Sequence, residues 1–298
     1  MMSKHKCLII PYSILMLALA LQGAWGSSAA PLPVFVSILP QKQIVQQIGK
    51  DRVDVQVMVP PGANPHVYEP RPAQMAALSK ASLYFSIGIE FENVWLPKFS
   101  ALNRQLHVVA TDRGIEKQPL QNHDHAGGDH AQSHSDPHIW LSPPLIKIMA
   151  ATIRDALVRA DPAHAAQFDR HCATLLQELD DLDQRIRRLL ANHRGGRFMV
   201  FHPSWGYFAN TYGLIQVPVE IAGKEPKPAQ LQKLIRQAKE WDIRVIFVQP
   251  QFSSRSAQTI TGAIGGKVVS ADPYAPDLMD HLLRLAEEIK TNMPGKNP

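Results

Sequence analysis

Cysteine is nearly missing from this chain of 298 residues, which has Cys7 and Cys172 and no other. Cys7 stands ahead of the first apolar run, the wrong end for a lipid-modified cysteine. If the segment carrying Cys7 is removed, Cys172 is left alone and no intramolecular disulfide can form. Long apolar runs are missing too. The best, "CLIIPYSILMLALAL", is short of the ~20 residues a membrane span needs and is broken by Pro11. No basic stripe with interleaved aromatics is present, which argues against nucleic acid as a partner. There is no H-E-x-x-H, the helical signature of many zinc hydrolases.

What is present reads first as an export signal. Lys4 and Lys6 precede the apolar run, and small residues follow it in "QGAWGSSAAP". Ala24 and Gly26 satisfy the small-x-small rule, so residues 1–26 are expected to be removed, with cleavage after Ala29 as the second choice. Without Lys4 and Lys6 the formal charge falls from +5 to +3. The hydrophobic content of 45% and charged content of 19% are those of a globular chain. A soluble exported protein is expected.

Strands and helices then alternate, which predicts parallel sheets. "VFVSILP", "VDVQVMVP", "SLYFSIG" and "LHVVAT" read as strands in the first half, with helical spacing in "QKQIVQQIGK" and "RPAQMAALSKA". Leu145, Met149, Ile153 and Leu157 mark one face of a further helix. Asp161 is a natural N-cap with Pro162 at the first helical position. After it, Phe168, Cys172, Leu175, Leu179, Leu182, Ile186 and Leu189 alternate steps of four and three. That stripe predicts a helix of about 30 residues, ~45 Å long, stopped by Gly195 and Gly196. On it, Cys172 reads as a small buried apolar residue. Beyond the glycines, "RFMVF", "LIQVPVEIA", "VIFVQ" and "KVVSA" read as strands, with helices between them and a last helix carrying Leu278, Leu282, Leu285 and Ile289. The expected fold is α/β: an N-terminal lobe over 27–160, a linking helix over 161–194 and a C-terminal lobe over 195–298.

Polar residues at element boundaries are the candidates for chemistry. His66 follows "VMVPPGANP", His138 lies in "DPHIWLSP", His202 follows "RFMVF", and Asp272 follows "KVVSA". Each adjoins a proline, which restricts the local backbone. Singly, a histidine at a strand end is more often a surface or hydrogen-bonded residue than a ligand. Together, three imidazoles and a carboxylate make a natural first shell for zinc, at about 2.0–2.2 Å per bond. Spacing alone does not establish that they converge. His107, His164, His171, His193 and His281 have no such context.

The segments "PPGANPHVYEPRPAQMAAL", "DPHIWLSP", "FHPSWGYFANTYGL", "KEPKPAQL" and "VQPQFS", in that order, resemble the signatures of the metal-binding solute-binding proteins of bacterial ABC importers, which handle zinc, manganese and iron. The resemblance spans nearly all of the chain after the leader. It implies two α/β lobes bridged by a rigid helix, with the metal ligands on His66, His138, His202 and Asp272 in the cleft between them. It also implies a periplasmic receptor rather than an enzyme, monomeric, delivering its ion to an ABC permease of the inner membrane.

The histidine-rich stretch over 121–135, with His123, His125, His130 and His134, is typical of zinc-type members and is expected to be a mobile loop with weak accessory metal sites or no effect on affinity. Manganese-type relatives have glutamate at the position of His202. Imidazole there favours Zn²⁺ as the transported ion, with Mn²⁺ or iron the alternative. A zinc hydrolase is the competing class, disfavoured by a closed four-ligand shell and by Glu69 as the one obvious base. A surface adhesin of the same fold is disfavoured by the missing lipid-type cysteine. Gln249 departs from the family, where many relatives have glutamate, "SIGIEFENVW" is looser than the usual segment, and the C-terminal cysteine pair of some zinc members is missing.

Overall fold

Each half of the chain builds one four-stranded parallel sheet. The computed structural model describes residues 30–120, 135–221 and 223–293. In the first half, β1 (Leu32–Val36), β2 (Val53–Val57), β3 (Leu83–Ser86) and β4 (His107–Ala110) lie in the order β2-β1-β3-β4. In the second, β5 (Arg197–Val200), β6 (Ile215–Pro218), β7 (Val245–Val248) and β8 (Lys267–Ser270) lie in the order β6-β5-β7-β8. The strand order reverses beside β1 in one sheet and beside β5 in the other. Such switch points open a crevice at the carboxyl ends of the strands.

The helices of the first half are α1 (Leu39–Gly49), α2 (Pro72–Leu78), α3 (Glu90–Leu102) and α4 (Pro143–Ala160). Then comes α5 (Ala165–Leu190), flanked by 3-10 turns at Pro162–His164 and Ala191–His193. The second half has α6 (Gly206–Tyr212), α7 (Pro228–Glu240), α8 (Arg255–Ile264) and α9 (Leu278–Asn292). The helix α5 packs on α1 and α4 of the first half and on α9 of the second. Its stripe is buried at Phe168, Cys172, Leu175, Leu179, Leu182 and Ile186, and closes on Leu190 rather than Leu189. Each such side chain contributes roughly 1.5–3 kcal/mol of burial. One apolar cluster therefore runs from β1–β3 along α5 to α9. A second covers the other face of the C-terminal sheet, where Met199, Phe201 and Ile246 alternate with the inward Phe198, Val200 and Phe247.

Three local readings differ from the sequence. The segment from Val34 is a strand only to Val36, because α1 starts at Leu39 with Pro40 in its first turn, where a missing N–H is harmless. Asp161 sits before the 3-10 turn, but its carboxylate accepts from Arg52 at 3.0 Å and from His164 instead of capping the helix. The helix α3 is missing from the sequence reading. Pro97 inside it breaks the usual pattern, yet Phe91 and Phe99 anchor it, and Phe99 meets Tyr84 with ring centroids 5.3 Å apart. Among the described residues no helix is long and apolar enough to cross a membrane.

Candidate metal centre

Loops at the carboxyl ends of the strands carry most of the candidates. His66 follows β2, His202 follows β5 and Asp272 follows β8, while His138 immediately precedes the 3-10 turn Ile139–Leu141 at the head of α4. One ring nitrogen from each of His66, His138 and His202 lies within 4.8 Å of the other two. Their ring centroids are 5.0–5.9 Å apart. His138 is fully buried, and the side chains of His202 and His66 are 9% and 18% exposed. None of the histidines left without a role joins them. His107 and His171 each face a backbone carbonyl and His164 faces Asp161.

All three imidazoles are held in the same way. Nδ1 of His66 donates to Glu90 at 2.6 Å, that of His138 to Asp136 at 2.7 Å, and that of His202 to Glu220 at 2.8 Å. An ionised carboxylate only accepts, so each Nδ1 carries the proton and each Nε2 presents its lone pair. All three Nε2 atoms are buried with no hydrogen-bond partner among the described residues. Buried polar atoms are ordinarily paired, and three orphans facing one point fit a cation. Burial holds the His138 pKa below its ordinary value despite the raising effect of Asp136, and the other two imidazoles push it the same way. Burial also raises Glu90, but the hydrogen bond it accepts from His66, foremost among the lowering influences, brings it to about 2.

The backbone around the rings is fixed as well. Asp136 Oδ1 also accepts from the His138 N–H at 2.9 Å, and Asn64 Oδ1 accepts from the His66 N–H at 3.0 Å. A Cβ on Gly206 would come within 2.8 Å of the Asp136 carboxylate, so that position admits only glycine without a shift. Gln249 clamps His202: its Oε1 accepts from the His202 N–H at 3.1 Å, and its Nε2 donates to the His202 carbonyl at 2.7 Å. Phe252 stacks on the His202 ring at 5.0 Å and 16°.

Asp272 stands outside the three-histidine group. Its Oδ1 accepts from Gln251 Nε2 and from the Tyr274 N–H, each at 3.0 Å. Sequence reasoning missed Glu90, Asp136 and Glu220. The available signal was position: Asp136 is two residues before His138, Glu90 opens a helix after β3, and Glu220 follows β6. Glu69, the one base candidate read from the sequence, is exposed. His123, His125, His130 and His134 lie outside the described residues.

Residues 34–290 match the family described as zinc-uptake complex component A, periplasmic. The chain is 33% identical over 256 residues to the high-affinity zinc uptake system protein ZnuA of Bacillus subtilis, covering 83% of this chain and 79% of that protein. A crystal structure of ZnuA superposes with a TM-score of 0.82 at 38% identity, covering 88% of this chain and 99% of the other. A deletion mutant of ZnuA with zinc bound gives 0.81 at 38% identity, covering 90% and 99%.

Proposed function

The chain belongs to the family of periplasmic A components of zinc-uptake complexes, and we propose that it holds its zinc on His66, His138 and His202, with Asp272 as the fourth ligand. The family is one of solute-binding receptors rather than enzymes, and this chain is a zinc-binding receptor of an ABC uptake system. The orphaned Nε2 atoms, each backed by a carboxylate on Nδ1, carry the site assignment. A carboxylate behind a ligating imidazole fixes its tautomer and raises its basicity. Glu90, Asp136 and Glu220 also bring negative charge that favours a dication over the empty site. Asp272, on the loop after β8, would supply the oxygen that completes four N/O ligands, the usual number for a closed zinc shell.

The remaining parts of the reading follow from the sequence. Residues 1–26 act as the export signal, with cleavage after Gly26. The receptor works as a monomer that gives its ion to the permease, and the histidines of 121–135 collect zinc weakly. In this reading, His138→Ala lowers zinc affinity by more than the ~10- to 100-fold that follows loss of an outer-shell partner. Competition with a chromophoric zinc chelator measures this. Unchanged tight binding would remove His138 from the site.

A further inference from the structure

Tyr274 carries a hydroxyl that no contact described so far explains. The residue is 8% exposed, and its hydroxyl is buried with no hydrogen-bond partner among the described residues. Its position is well determined by its surroundings. Trp140 Nε1 donates to the Pro273 carbonyl at 2.7 Å, and the Tyr274 N–H donates to Asp272 Oδ1 at 3.0 Å. The Tyr274 ring lies 5.6 Å from that of Trp140, which in turn lies 5.2 Å from His138. The charged groups that act on the hydroxyl are Glu90, Asp272 and Asp136. All three belong to the histidine cluster or flank it, yet none accepts its proton in a hydrogen bond.

A buried donor without an acceptor is unfavourable, and proteins seldom keep one without use. Three imidazoles fill three of the four positions that zinc takes, and the fourth calls for an oxygen. A phenol keeps its proton at neutral pH, so the hydroxyl can donate. We propose that Tyr274 is a positioning residue for the metal, donating a hydrogen bond to the oxygen atom that occupies the fourth coordination position. The inference rests on the three-histidine site proposed above. The oxygen is either the free Oδ2 of Asp272 or a water molecule. Both present the same acceptor to the phenol.

Tyr274→Phe keeps the ring against Trp140 and removes only the hydroxyl. Zinc affinity, from chelator competition on the mature protein, should fall about tenfold, the effect of one hydrogen bond to a charged acceptor. The midpoint of thermal unfolding of the metal-free variant should stay level or rise, because an orphaned polar group has gone. A purely structural tyrosine would move both readouts down together. The visible spectrum of the Co²⁺-loaded protein should shift between wild type and variant, reporting an altered fourth ligand. A double-mutant cycle with Asp272→Ala identifies the acceptor: the tyrosine effect vanishes if it is the Asp272 oxygen and persists if it is water. Unchanged affinity in Tyr274→Phe, or a parallel loss of metal-free stability, overturns the inference. If His138→Ala leaves tight zinc binding intact, the site assignment itself has failed; if that variant loses zinc while Tyr274→Phe does not, only the role of Tyr274 has.

Discussion

Among single residues, Gln249 shows how closely the site depends on which atom donates. Its amide gives a proton to one end of the His202 peptide and takes one from the other, and it is fully buried. Glutamate cannot donate to the His202 carbonyl unless it is itself protonated. Gln249→Glu should therefore lower metal-free stability by about 1–3 kcal/mol, read from denaturant midpoints at neutral pH, and the loss should shrink in acid. Asp136→Ala should cost zinc affinity about 10- to 100-fold, seen in chelator competition, because it frees both the ring and the backbone of His138. The three histidines stood out in the sequence from their place beside prolines at element boundaries, though their convergence did not. Their carboxylate partners Glu90, Asp136 and Glu220 were not read there; His66 and Glu90 are 24 residues apart and meet only through the order of the strands.

Elements with clear periodicity were legible, and α3 shows the limit. Its proline hid it, and its first turn carries two acids with opposite fates. Glu90 faces His66 and stays ionised, whereas Glu92, accepting from Ser37 and from the Ile87 and Gly88 amides, is pushed up to about 7 by burial. In the unfolded chain a glutamate titrates near 4.3. Between those values the native state holds a proton that the unfolded state has lost, so Glu92 makes stability fall as pH rises through about 4.5 to 7. Glu92→Gln should flatten that part of the pH profile of the metal-free protein, whatever it does to the absolute level. Urea melts at several pH values between 4.5 and 8 test the slope; an unchanged slope would mean that Glu92 does not titrate there.

Across the whole molecule, the two lobes and the long helix were legible because a 3.6-residue stripe and repeated strand–helix alternation survive in any context. The histidine-rich segment enters and leaves at one place: Pro119 and Ser135 form an antiparallel bridge, and the Asp136 N–H donates to the Gln118 carbonyl at 2.7 Å. Replacing residues 121–133 with a two-glycine turn should therefore leave one tight zinc per chain and remove any weaker ones, counted by titration. The stripe of α5 also decides what a fragment of this chain would be. The first sheet has no hydrophobic interior apart from the cluster that crosses on that helix to the inner face of the second, whose outer face alone has a cluster of its own. Calorimetry of residues 27–298 should give a single transition with matching van't Hoff and calorimetric enthalpies. A receptor cut within α5 should then lose the half that carries His66 and His138, and keep no tight zinc site in either piece.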